Sequence, residues 1–216
     1  MQVRSTNRTY PQASGSAGST PTSGISVSEG SYPIVVGAPA PANGGDSSFG
    51  PISSTGGGQG GENPDVTYQA YPGGSGGGHR RGSGSGNAGS YSPPEGNPGG
   101  GPTSPGVHGI YGSHGGGGMG GTGGSATTPN GGPGGASGQN NVTGATVEYS
   151  GGGSGVRQSG HPTAPPGSVP ATSGAGGSGA PSNAGVPGRG GGGGNGAPTG
   201  SGTGGSGSVI IRYKFQ

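Results

Sequence analysis

Gly106-Val107-His108-Gly109-Ile110-Tyr111-Gly112-Ser113-His114-Gly115-Gly116-Gly117-Gly118-Met119-Gly120-Gly121-Thr122-Gly123-Gly124 is the stretch on which the reading of the fold turns. Glycine returns at every third position, from Gly106 through Gly109, Gly112, Gly115, Gly118 and Gly121 to Gly124, without a miss. A second series runs Gly185, Gly188, Gly191, Gly194 and Gly200, with small Ala197 at the intervening place. Polyproline II has three residues per turn, so each series makes one glycine-only edge along such a helix. An edge without Cβ lets a neighbouring backbone come close.

Glycine makes up 66 of the 216 residues, so short period-three runs also arise by chance, and Gly116, Gly117, Gly120 and Gly123 dilute the pattern. A collagen triple helix is the other period-three structure. It fails here because the period drifts, breaks outright from Ser125 to Asn130 and covers a minority of the chain. The expected body, residues 38–208, is therefore a bundle of short polyproline II segments reversing at Asn-Gly, Pro-Gly and Gly-Gly turns. Backbone hydrogen bonds between segments would take the place of hydrophobic burial.

Composition demands some such substitute. With 22 Pro, two Phe, no Trp and 21% hydrophobic residues, the default for this chain is disorder, since little apolar surface offsets chain entropy. Zero cysteines exclude disulfides and thiolate metal sites. The net charge is +2 with scattered basic residues, so nucleic-acid binding is not expected. No apolar run approaches the ~20 residues of a membrane span, and no secretory signal is read at the start.

Outward from the body, both ends turn strand-like. Val209, Ile211, Tyr213 and Phe215 alternate with Ile210, Arg212, Lys214 and Gln216, the period of a half-buried strand. Met1 and Val3 alternate with Gln2 and Arg4, a match for pairing with that closing strand. Ile25 and Val27, a turn at Glu29-Gly30-Ser31, and Tyr32, Ile34 and Val36 read as a hairpin, with Pro33 confining its second strand to an edge. Val66-Thr67-Tyr68 and Ala145 to Tyr149 are brief apolar interruptions. The expected fold class is mostly irregular and all-β. It is a single glycine-rich domain over 1–216, with a small antiparallel β element from 1–37 and 209–216 around the polyproline II body.

Candidate chemistry is sparse. On a polyproline II edge His108, Tyr111 and His114 align, but His108 and His114 stand about 19 Å apart at ~3.1 Å per residue, too far to share a metal. That edge suits stacking on sugar rings better, with simple surface coverage as the plainer reading. Glu148 reads as a solvated acid opposite Val147 and Tyr149, and Asp46 as an Asx-type turn residue. Arg80 and Arg81 with His79 read as an exposed turn between Gly78 and Gly82. Six acids without a paired site and a single lysine, Lys214, outside any phosphate loop argue against an enzyme or a cofactor. In a body whose glycines serve packing, a partner would be met by the few residues with reach: Tyr68, Tyr71, His79, Arg80, Arg81, His108, Tyr111, His114 and His161.

Three stretches together carry a family resemblance. Tyr32-Pro33-Ile34-Val35-Val36-Gly37 followed by Asn43-Gly44-Gly45-Asp46-Ser47-Ser48-Phe49-Gly50 is similar to the opening of the glycine-rich domain of bacteriophage tail proteins. Thr143 to Gly153 resembles its middle strand-to-glycine junction, and Gly204 to Tyr213 its closing strand. The resemblance implies a structural or adhesin-like, receptor-binding module of a virion tail appendage, or an extracellular one. Its implied partners are a bacterial surface glycan or outer-membrane protein and other tail proteins, and the oligomeric state is not specified. Such domains usually follow an amino-terminal β-rich or virion-attachment part, whereas Met1 stands almost at the start of this glycine-rich body, so an excised domain or an engineered glycine-rich scaffold is an alternative. A second alternative is ice binding, since some antifreeze proteins are glycine-rich polyproline II bundles, although the threonines here are irregularly spaced.

Overall fold

A computed structural model describes residues 28–39, 42–61, 70–80, 82–101, 112–127, 130–140, 142–155, 184–193, 195–196, 200–201 and 203–211. Among these residues there is no helix, and regular structure is confined to seven short strands: β1 (Ile34–Val35), β2 (Ser47–Phe49), β3 (Ile52–Ser54), β4 (Gly138–Asn140), β5 (Val147–Tyr149), β6 (Asn195–Gly196) and β7 (Gly200–Ser201). All pairings are antiparallel, in the order β1-β2-β3, β4-β5 and β6-β7.

The β2–β3 hairpin follows from its turn residues. Phe49 faces Ile52 across Gly50-Pro51, and Gly50 has φ +55°. Proline holds φ near −65°, so only the mirror-image turn with a positive φ at its first central position fits. Strand β1 pairs Ile34 with Phe49 and Val35 with Ser48, while the Tyr32 ring tilts onto Phe49 at 5.9 Å. The described partner of the Tyr32–Val36 stretch is therefore the Ser47–Phe49 strand; residues 25–27, expected to pair with it, lie outside the described residues. The expected alternation in burial is not realised either, since Ile34, Val35 and Val36 are all about half exposed.

Between these strands the backbone is ordered by a ladder of another kind. Hydrogen bonds link segment 113–118 to 121–124 as Gly115→Gly124 and Gly118→Gly121, donor first. They link segment 97–100 to it as Asn97→Gly118 and Gly100→Gly115. Gly132→Ser113 and Gly135→Gly116 bring in 130–137, and Gly116→Gly153 and Met119→Ser150 bring in 150–155. In each pair both partners shift by three residues, in opposite directions except between 130–137 and 113–118, whereas a β-ladder repeats every two. The N–H groups of Gly115, Gly116 and Gly117 in succession reach Gly124, Gly153 and Gly76, three different segments. A β-strand offers only two hydrogen-bonding sides, so segment 113–118 sits inside a bundle rather than a sheet.

Close approach makes these bonds possible. A Cβ added to Gly112, Gly115 or Gly118 would meet the carbonyls of Asn130, Pro133 and Ala136 respectively, positions that also rise by three. At Gly121 the nearest atom to such a Cβ is 3.6 Å away, an ordinary contact, and at Gly188 nothing lies within 4 Å. Gly188 instead has φ +73°, so there glycine serves a turn. Gly185 packs closely, its added Cβ meeting the Gly191 carbonyl, whereas Gly106, Gly109 and Gly194 lie outside the described residues. Apolar burial adds little: Ala70, Met119 and Ala126 are the buried hydrophobic residues described.

At the chain's end, Gly207 N–H donates to the Gly37 carbonyl at 3.2 Å, tying segment 203–207 to the first strand region. Val209, Ile210 and Ile211 belong to none of the seven strands, and Ile210 and Ile211 are exposed. The expected closing strand is thus not formed in its first three residues. Residues 1–4 and 212–216 lie outside the described residues.

Candidate functional site

Two side-chain clusters interrupt the glycine lattice. The first is where segment 112–118 meets the reversal at 78–83. That reversal is tight: Gly78 bridges Ser83, and His79 N–H donates to the Gly82 carbonyl at 3.2 Å. It was expected to expose its side chains, yet His79 is 4% exposed. The reason lies next door, where a Cβ on Gly78 would collide with the carbonyls of His114 and Gly115. The reversal is pressed against the centre of the bundle, and His79 goes inward with it.

His114 is buried as well, at 2% exposure. Its Nδ1 accepts a hydrogen bond from the Ala126 N–H at 2.7 Å, and its Nε2 has no hydrogen-bond partner. That bond fixes the neutral tautomer with the proton on Nε2. Burial holds the imidazole below its ordinary pKa of 6.5; the Arg80 backbone opposes this without reaching hydrogen-bond geometry at Nε2, and the nearby His79 adds a smaller downward push. Neither His79 nor His114 can be an exposed contact for a partner, and both are corrected to interior positions. Tyr71 is exposed at 40% and Arg80 half-exposed. Tyr68, Arg81, His108, Tyr111 and His161 lie outside the described residues. Among the described residues no group of three or more His, Cys, Asp or Glu side chains could hold a metal ion.

The second cluster was not anticipated. Glu95 is 2% exposed, with Oε2 accepting from Thr55 N–H at 2.8 Å and Oε1 from Gly89 N–H at 3.3 Å. Asn87 sits at φ 54°; its Oδ1 accepts from the Tyr91 and Glu95 N–H groups and its Nδ2 donates to the Tyr91 carbonyl. The Tyr91 hydroxyl bonds Ser53 Oγ at 2.6 Å. This loop clamps β3 to the bundle by side chains, a structural role. Its signal in the sequence was an acid set among turn formers, Ser92-Pro93-Pro94-Glu95-Gly96. Asp46 acts similarly: its Oδ1 accepts from Gly56 N–H, ten residues on, rather than from a local Asx turn. Glu148, half-buried, takes a long 3.4 Å bond from Gln139 Nε2 across β4–β5.

A lattice of backbone bonds with so few inward side chains is unusual, and the sequence comparison agrees in kind. The model of a glycine-rich domain family matches residues 4–214. The chain belongs to the glycine-rich domain family. No curated protein matches the sequence of this glycine-rich domain, and no solved structure matches its fold. No helix among its described residues is long and apolar enough to cross a membrane.

Proposed function

We propose that this glycine-rich domain is a rigid, non-enzymatic module of a phage virion tail, structural or adhesin-like, built as a bundle of polyproline II segments. The observation that carries the reading is the step of three in the hydrogen-bond ladders, the repeat of a helix with three residues per turn. A body so built spends its N–H and C=O groups internally, leaving recognition to side chains on reversals. Rigid backbone lowers the ordering cost of such side chains. Tyr71 and Arg80, the described members of the candidate set that reach solvent, are of types that anchor interfaces. The tail assignment itself is supported by the likeness of the three stretches at 32–50, 143–153 and 204–213 to tail-protein glycine-rich domains. A bacterial surface glycan or outer-membrane protein is the partner class that follows.

Adsorption of the labelled domain to candidate host cells tests this. Wild type should adsorb, and a Tyr71→Ala, Arg80→Ala double variant with the same thermal midpoint should lose most of that adsorption. Equal adsorption by the variant refutes the site, and no adsorption to any candidate host refutes the adhesin reading in favour of a structural one. Backbone dihedrals away from φ ≈ −75°, ψ ≈ +145° in segment 113–118 would refute the polyproline II bundle.

A further inference from the structure

Segments 112–118 and 121–127 form a hairpin at the middle of the bundle, and one buried side chain joins them. We propose that His114 is an acid-sensitive latch: its neutral ring holds segment 121–127 against segment 112–118, and its protonation releases that hairpin.

The geometry comes first. The Ala126 N–H points at His114 Nδ1 at 2.7 Å, and both residues are buried. Nδ1 can accept that bond only while it carries no proton. Protonation would set two N–H donors against each other at that distance. Turning the ring over does not help, because an imidazolium donates from both nitrogens. Nε2 is buried without a well-formed hydrogen bond, so the added charge is poorly compensated there.

Among the described residues, no acidic side chain of the surrounding segments compensates. The reversal at 78–80 contributes His79, itself buried, and Arg80, both basic. Segments 97–101, 124–127, 130–137 and 150–155 contribute no ionisable side chain. The proton-favouring pull of the Arg80 backbone is outweighed by burial. The folded ring is thus a weaker base than the same ring in an opened chain, so the opened state binds more protons as pH falls below 6.5. The latch is secure above that value and is lost progressively below it, until the folded ring itself titrates.

What it would release is held by hydrogen bonds more than by apolar burial. Ala126 and Met119 are the buried apolar side chains described in this hairpin, and its other ties are the Ser125 Oγ bond to the Gly101 carbonyl at 2.6 Å and backbone bonds such as Gly115→Gly124, Gly123→Pro98 and Gly124→Pro133. Loss of a buried bond beside a newly formed buried charge weakens the hold on 121–127 by more than the loss of one exposed bond would.

Hydrogen exchange of the full chain, normalised for the intrinsic pH dependence of the rate, tests the latch between about pH 7.5 and about pH 4.5. In wild type the protection of amides in 121–127 should fall by about tenfold per pH unit within the window below 6.5, as one proton per opening requires. A His114→Asn variant, which keeps a neutral acceptor near the Nδ1 position, should show no such fall. Unchanged protection in wild type overturns the proposal, as does an equal fall in His114→Asn or a loss that begins in 42–61 instead. Should that variant not fold, an NMR titration of the wild-type His114 ring decides: a midpoint below 6.5 upholds the latch, and one at or above 6.5 overturns it.

Discussion

Gly115 and Gly116 are neighbours in a run of four glycines, and the structure assigns them opposite tolerances. An ideal Cβ on Gly115 would lie 1.9 Å from the Pro133 carbonyl oxygen, 1.1 Å short of the 3.0 Å that real Cβ atoms keep. Pro133 cannot retreat freely. Its carbonyl accepts Gly124 N–H at 2.7 Å, and on either side Gly132→Ser113 and Gly135→Gly116 pin it to the segment that carries Gly115. Relief must therefore break backbone bonds in a buried place. Two stranded groups cost about 1–3 kcal/mol each, and the alanine's smaller unfolded-state entropy returns about 0.4–1 kcal/mol. Gly115→Ala should lose about 2–5 kcal/mol, lowering the thermal midpoint by roughly 5–20 °C at this chain length. At Gly116 the nearest atom to an added Cβ is 3.6 Å away, and its φ is not in the left-handed region, so Gly116→Ala should stay within about 1 kcal/mol of wild type. Differential scanning calorimetry or circular-dichroism melts read both. Equal midpoints for the two variants, or a greater loss at Gly116, would refute backbone-to-backbone packing as the source of order.

The side-chain clamp makes two further forecasts. Glu95→Gln replaces one acceptor oxygen with a donor facing the Thr55 or Gly89 N–H, so melting should report a loss of about 1–3 kcal/mol. Asn87→Ala forfeits its bonds to Tyr91 and Glu95 and puts a Cβ residue without a side-chain bond at φ 54°. It should cost about 2–4 kcal/mol, while Asn87→Gly, which escapes the φ strain, should cost less; the reverse order would refute the strain argument.

Glycine's period of three was legible in the sequence because it is a local pattern, carried by the residues of one segment. Close contacts at Gly112, Gly115 and Gly118 lie on that register. Yet Gly117, Gly123, Gly134 and Gly153, off the same register, are packed as tightly. A segment with neighbours on several sides needs a bare edge toward each of them, and no single period describes that. The strand at Val147–Tyr149 was readable from its alternation, while its partner Gly138–Asn140 was not, since Gly-Gln-Asn carries no strand pattern.

Composition and periodicity by themselves determined that this chain is a helix-poor, glycine-rich domain whose order must come from backbone hydrogen bonds, because too few apolar residues exist to supply a core. Only the tertiary structure decided which side chains go inside. His114 and His79 are the same residue type in similar glycine surroundings as any exposed histidine, and they are buried because segments 78–80 and 124–127 close over them. Glu95 is inward because it accepts the N–H of Thr55, forty residues earlier. Burial in a bundle depends on which segments become neighbours, and neighbours so distant along the chain leave no mark in a local pattern.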